Sequence, residues 1–364
     1  MCACSLPFCA VLAVTVLLLS SIHAHAVVEL KINQEKKCDL YDGSWVFDKS
    51  YPLYDAEKCP LILQQFNCMR NGRPDRRYQK YKWQPNNCNL PRWDGREFAS
   101  RVRGKRIMFV GDSISTNQWQ SLACIIRAAY PRAPYSPATT VGPISTILFP
   151  KLNMTLMYMR NAYIVDIATE RAAKVLKLNS VAASAKQWLK TDILIFNTWH
   201  WWLHTGRKQP WDLIKDGKVI RKDMDRLKAY ERALRTWTRW IDKRVDTNKI
   251  NIFFQGVSPD HWNGSNWGRR DAQRCWGQEV PLKQAAVEGG GGSDAADIIL
   301  KKVLRSMKKP VHLLDINRLS RFRVDGHPSV YGNSRKIGMD CTHWCLPGVP
   351  DTWNQLLYAT LLKL

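Results

Sequence analysis

The chain has 364 residues, 45% hydrophobic and 24% charged, the balance of a globular protein and one that excludes a disordered or fibrous chain. Lys and Arg outnumber Asp and Glu by 55 to 31, a formal charge of +24, so the surface is either strongly basic for its own sake or matched to an acidic partner. Eleven cysteines are more than a reducing compartment usually sees, which directs attention to disulfides.

Residues 1–26 contain no Lys, Arg, Asp or Glu; Ala10–Leu19 is apolar, and Ala24-His25-Ala26 is a small-x-small cleavage pattern. These are the marks of a secretory signal peptide. A basic n-region is missing and the apolar run can be stretched to about 18 residues, so an uncleaved signal anchor is the alternative and would be the only membrane contact. Cys2, Cys4 and Cys9 fall in this leader, leaving Cys38, Cys59, Cys68, Cys88, Cys124, Cys275, Cys341 and Cys345. An even set of eight in a secretory chain favours four disulfides, in any of about 105 arrangements. Cys341 and Cys345 lack zinc-site spacing and have no histidine pair close by, so no metal is expected. Asn153-Met154-Thr155 and Asn263-Gly264-Ser265 are glycosylation sequons that agree with exposure outside the cytosol.

After a polar lead-in at 27–35, Cys38 to about Pro91 is dense in Cys, Tyr, Trp, Pro and Asn without clean periodicity. Residues 27–91 therefore form a cysteine-rich subdomain that needs staples and a larger neighbour to pack on. Strand and helix patterns alternate across 92–364. A strand at 106–110 runs into Gly111-Asp112-Ser113, and a helix near 116–130 places Trp119, Leu122, Ala123 and Ile126 on one face. Beyond the Pro/Thr-rich stretch 131–142, short β-like runs near 144–149, 154–159, 163–167 and 174–178 read as hairpins or an insertion. Asp192–Asn197 is a strand ending in a polar side chain, 223–244 a basic amphipathic helix, and Ile250–Gln255 another buried strand. Gly289–Gly292 marks a surface excursion, Ser293 or Asp294 caps a helix to about Met307, Val311–Ile316 is the last strand and Asp351–Leu362 the closing helix. This alternation predicts an α/β sheet with helices on both faces.

Ser113 sits where such a sheet puts its chemistry, at the carboxyl end of a strand beside the unpaired N–H groups of a helix start. An ordinary turn with a capping serine reads the same in isolation. A nucleophilic serine needs a base, and after the leader the chain offers His200, His204, His261, His312, His327 and His343. Asp340 precedes His343 by three residues, a spacing that lets a carboxylate fix the far ring nitrogen while the near one takes the serine proton. Asp260-His261 is adjacent rather than offset, and His312 lies within a strand, so His343 stands modestly ahead on the residues alone.

Gly111-Asp112-Ser113 together with Asp340-Cys341-Thr342-His343 resembles the plant trichome birefringence-like family of polysaccharide O-acetyltransferases, similar in fold to GDSL/SGNH esterases. Further likeness lies in Cys38–Val46, Asn71–Asp75, Tyr81–Pro85 and Asn197–Trp202, in that order. The resemblance implies an SGNH-like open sheet flanked by helices, Ser113 as nucleophile and Asp340 and His343 as its partners. Gly111 and the Asn197 side chain join the Ser113 N–H as candidates for the oxyanion hole; Asn197 capping the next turn is the alternative. It further implies the disulfides Cys38–Cys88, Cys59–Cys124, Cys68–Cys345 and Cys275–Cys341. The expected activity is acetyl transfer to a cell-wall polysaccharide such as xylan or pectin in the Golgi, or secreted to the wall. No cofactor is bound; acetyl-CoA or another acetyl carrier is a co-substrate. An acetylesterase and a noncatalytic glycan-binding protein of the same fold are the rivals. In this setting the charge of +24 suits a uronate-bearing glycan and not nucleic acid, or else an acidic compartment. Trp199, Trp201 and Trp202, just beyond Asn197, are candidates for stacking on sugars, or for packing under a loop.

Overall fold

The computed structural model describes residues 38–269, 274–283, 292–332 and 338–364. The expected leader and the glycines at 289–291 lie outside the described residues. In chain order the strands and helices are β1 (Gly43–Phe47), β2 (Tyr81–Pro85), α1 (Gly95–Val102), β3 (Arg106–Gly111), α2 (Ser113–Ala129), β4 (Thr139–Val141), β5 (Ile144–Phe149), β6 (Met154–Arg160), β7 (Asp166–Glu170) and β8 (Ala173–Lys177). Then come α3 (Ala182–Trp188), β9 (Ile193–Phe196), β10 (Leu213–Asp216), β11 (Val219–Arg221), α4 (Arg226–Arg244), β12 (Asn251–Gln255), α5 (Gly292–Arg305), β13 (His312–Leu314), α6 (Asn317–Arg321) and α7 (Val349–Leu361).

The main sheet runs β13-β12-β9-β3-β6-β5-β4, parallel from β13 to β6 and closed by the antiparallel strands β5 and β4. Its central strands are apolar on both faces because helices cover both. Met108 and Val110 of β3 pack with Leu194, Phe196, Ile252 and Phe254 beneath α4 and α5. Ile107 and Phe109 point the other way, to Ile193, Ile195 and Phe253 beneath α1, α2 and α7. The sheet is therefore the doubly covered α/β layer that the strand–helix alternation predicts.

A second sheet, β11-β10-β8-β7, joins β7 and β8, which lie between β6 and β9, to β10 and β11, which lie between β9 and α4; its outer pairs are hairpins, and the β7–β8 pair falls where the middle of the sequence suggests one. The strand expected at 163–167 lies instead at β7, three residues later. Tyr163, Ile164 and Val165 are buried as part of a turn, with Ile164 at a φ of 64°, so their apolar character serves packing and not a ladder. Helix α2 also starts at Ser113, ahead of the expected 116, because the Asp112 side chain caps it by accepting the Ile114 N–H at 2.9 Å.

Among its described residues the cysteine-rich segment has β1 paired with β2 and three short 3-10 turns, and it lends its apolar residues to others. Leu40 and Trp83 join the core under α2, while Ile62 and Phe66 pack against Cys124, Ile125 and Leu346. All four disulfides form as the resemblance implies: Cys38–Cys88, Cys59–Cys124, Cys68–Cys345 and Cys275–Cys341. Cys341 and Cys345 are thus bridging residues.

Candidate active site

The corner that presents Ser113 tolerates no side chain at position 111. A Cβ on Gly111 would lie 2.5 Å from the Asn197 carbonyl oxygen and 2.3 Å from Ser115 Oγ, so glycine is what lets the ends of β3 and β9 cross this closely. Asp112 takes the Ile114 N–H, and no acceptor for the Ser113 N–H lies among the described residues.

His343 arrives from the far end of the chain. Its Nε2 lies 2.7 Å from Ser113 Oγ, and its Nδ1 lies 2.7 Å from Asp340 Oδ2. The other Asp340 oxygen accepts the backbone N–H groups of Thr342 and His343, both at 3.0 Å. With Nδ1–H donating to the carboxylate, Nε2 is left as a base facing the serine hydroxyl. Burial works against the Asp340 charge, but the imidazole and the two N–H bonds outweigh it and hold the carboxyl well below the usual range. Burial likewise opposes the His343 cation, yet Asp340 prevails and raises the ring above its ordinary 6.5.

The loop that carries this pair has no helix or long strand of its own and is held from outside. Disulfides leave it on either side of His343, through Cys341 to Cys275 and through Cys345 to Cys68. Asn117, one helical turn beyond Ser113, clasps the backbone of Trp344: its Nδ2 donates to Trp344 O at 3.0 Å and its Oδ1 accepts the Trp344 N–H at 3.1 Å. The same helix thus carries Ser113 and holds the residue after His343. Asp340 itself pairs with Ser329 through two backbone bonds.

His327 completes the hold from below, with Nδ1 2.6 Å from the His343 carbonyl and its ring stacked on Trp344 at 4.1 Å. Behind it, His327 Nε2 meets His261 Nδ1 at 2.6 Å, and His261 Nε2 lies 3.1 Å from Arg321 O. Burial keeps both rings neutral, lowering His327 to about 4 and His261 well below its usual value. Three contacts between two carbonyls ask for three protons, and two neutral rings carry two. If His327 donates to His343 and His261 to His327, the contact left without a proton is the longest of the three. His261, the nearest rival for catalytic base, is therefore a buttress of the residue that holds His343.

The remaining candidates divide. Asn197 is buried at the end of β9 beside the Gly111 corner, with its Oδ1 unpartnered among the described residues. Trp199 and Trp202 are 1% and 0% exposed and belong to the core, which leaves them no face for a sugar. Trp201 is half-buried beneath the Arg160 guanidinium, 5.0 Å from its ring. His200 is spent on Ser258 O, and His204 packs on Trp201. Asn153 and Asn263 are exposed, the latter capping a short helix. A cavity of 640 Å³ lies beside the Cys59–Cys124 bridge, and none of Ser113, Asp340 and His343 borders it.

The supporting roles of Asn117, His327 and Arg73 went unread in the sequence. Arg73 donates to the carbonyls of Asp325 and His327, so the Asn71–Asp75 motif acts as an anchor for the segment carrying His327. An asparagine one turn after Ser113 was the available signal; for His327 there was none.

Ser113 at the end of β3, joined through His343 to Asp340 on a loop, has the arrangement of the serine–histidine–aspartate triads of acyl-transfer chemistry, set on an SGNH-like α/β sheet. Residues 90–360 match the model of the GDSL/SGNH-like acyl-esterase family found in Pmr5 and Cas1p, and residues 36–89 that of the PMR5 N-terminal domain. From Arabidopsis thaliana, trichome birefringence-like 43 is 49% identical over 91% of this chain and 90% of its own length. Trichome birefringence-like 38 is 50% identical over 89% of this chain and 84% of its own, and trichome birefringence-like 41 is 50% identical over 90% and 91%. The chain belongs to the trichome birefringence-like family.

Two predictions follow from the loop. If His343 Nε2 is the base, it acts as the neutral imidazole with a pKa that Asp340 raises, so kcat/KM should fall on the acid side through a value above 6.5, and in Asp340→Asn the residual acid limb should move to lower pH. Steady-state rates across pH measure both. Mild reduction should abolish activity before it unfolds the sheet, because Cys275–Cys341 and Cys68–Cys345 hold a loop that the sheet does not; activity and far-ultraviolet dichroism followed together decide it.

Proposed function

We propose that the protein is an O-acetyltransferase of the secretory pathway that esterifies hydroxyls of a cell-wall polysaccharide such as xylan or pectin, in the Golgi lumen or at its membrane. The observation that carries the reading is the pair of 2.7 Å contacts joining Ser113, His343 and Asp340 in a chain of an acyl-esterase family. Four disulfides agree with an oxidising compartment.

In the first half-reaction His343 Nε2 takes the Ser113 proton as Oγ attacks the acyl carbon of the donor, acetyl-CoA or another acetyl carrier. The tetrahedral oxyanion is met by the Ser113 N–H, with the Asn197 amide as the second donor. Collapse leaves acetyl-Ser113, and the imidazolium returns its proton to the departing group. In the second half-reaction a sugar hydroxyl gives its proton to His343 and attacks the ester, and Ser113 leaves as the hydroxyl. Water in place of the sugar gives acetate, so an esterase on acetylated glycan is the second reading, favoured by the name of the family model. The order of motifs shared with polysaccharide acetyltransferases supports transfer.

Purified protein given donor and glycan oligomers, and separately acetylated glycan alone, distinguishes transferase, esterase and a noncatalytic binder. Ser113→Ala and His343→Ala should each lose about three orders of magnitude or more, and the double variant little beyond either, because the groups act as a unit. Ordinary turnover by Ser113→Ala would remove the assignment.

The charge of +24 gives the acceptor a direction. Rates on pectic or glucuronate-bearing oligomers should exceed those on neutral mannan oligomers and should fall as salt screens the attraction over about 8 Å at physiological ionic strength. Equal rates without a salt effect would detach the charge from substrate choice.

A further inference from the structure

Resting on that reading, we infer that Trp262 and Arg274 form a glycan subsite beside the catalytic loop, holding a uronate-bearing sugar next to the one that is acylated. Trp262 lies in the loop after β12, and two hydrogen bonds fasten that loop to the catalytic one. The His261 N–H donates to Cys341 O at 2.9 Å, and the Trp262 indole N–H donates to Thr342 Oγ1 at 2.8 Å. Thr342 directly precedes His343, so the indole is fixed relative to the triad. The residue is 38% exposed, while Trp237, Trp344 and Trp353 are fully buried. A large apolar ring kept in water by a bond through its one polar atom is placed for contact and not for packing.

Arg274 lies over this ring, its guanidinium carbon 5.1 Å from the centroid. The next residue, Cys275, is bridged to Cys341, so Arg274 too is tied to the catalytic loop. Its backbone is left-handed, with a φ of 58°, a conformation that side-chain-bearing residues disfavour and that collects at ligand sites. Among the described residues its side chain has neither an ion pair nor a hydrogen bond. An indole face suits the C–H face of a pyranose, and a guanidinium suits a carboxylate in two-point contact. A uronate sugar offers both at once. Arg160, the last residue of β6, lies in the same way over Trp201, 5.0 Å from its ring.

The test is binding without turnover. Ser113→Ala protein, stripped of N-glycans, is titrated calorimetrically with tetragalacturonate and with neutral xylotetraose. Adding Trp262→Ala should weaken both by about tenfold, a loss of ~1.4 kcal/mol. Trp262→Phe, which keeps a ring and loses the Thr342 bond, should retain most of the affinity. Arg274→Gln should weaken tetragalacturonate about fivefold and leave xylotetraose unchanged. Unchanged affinity in Trp262→Ala, or equal losses in Trp262→Ala and Trp262→Phe, overturns the stacking role; equal effects of Arg274→Gln on the two oligomers overturn the uronate role. Trp262-dependent binding in a protein whose wild type transfers no acetyl upholds the subsite and removes the catalytic reading, whereas transfer with Trp262→Ala binding as tightly as its parent does the reverse.

Discussion

The 2.7 Å contact between Ser113 Oγ and His343 Nε2 joins groups 230 residues apart, and most of what is unusual in the chain serves to keep it. Ser113 is easy to place, since it begins a helix at the end of a buried strand. His343 is not, because its loop has no ladder or helix to set its backbone, and ordering a residue costs about 1–2 kcal/mol in conformational entropy. Fixation comes from separate regions: Cys68 in the cysteine-rich segment, Asn117 on α2, and Cys275 and His261 beyond β12. The cysteine-rich segment is thus part of the active-site support, and Arg73 extends that support to His327.

Electrostatically the loop is built so that one carboxylate answers one imidazole. Asp340 stays ionised because three contacts from the His343 region compensate its burial. His261 and His327 lie close by and are kept neutral by burial, so neither opposes an imidazolium forming on His343. A buried charge there would have worked against the proton transfer that the serine requires.

The main sheet was legible because β3, β9 and β12 are short apolar runs that only a doubly covered sheet explains, and Ser113 was legible because its corner is local. Asp340 and His343 were legible as a spacing, and their assignment to Ser113 rested on the likeness of motifs. Short elements such as α1, α3, β10 and β11 were not, since their amphipathic signal spans too few residues. The tryptophan roles stayed open between stacking and packing for a related reason: Trp199 and Trp202 adjoin Asn197 in sequence, but their burial is set by neighbours such as Tyr163 and Tyr230 that no local pattern reveals. Asn117 and His327 act on the backbone of Trp344 and His343, partners that spacing alone does not assign.

The central claim is that Ser113 carries the acyl group. Rapid quenching of the protein with an acetyl donor in the absence of acceptor, followed by peptide mass spectrometry, tests it directly. The account predicts one acetyl group on the peptide containing Gly111-Asp112-Ser113, located to Ser113, discharged when glycan oligomers are added and absent in His343→Ala. Transfer to glycan that proceeds at full rate with Ser113 never acetylated at any quench time would contradict it.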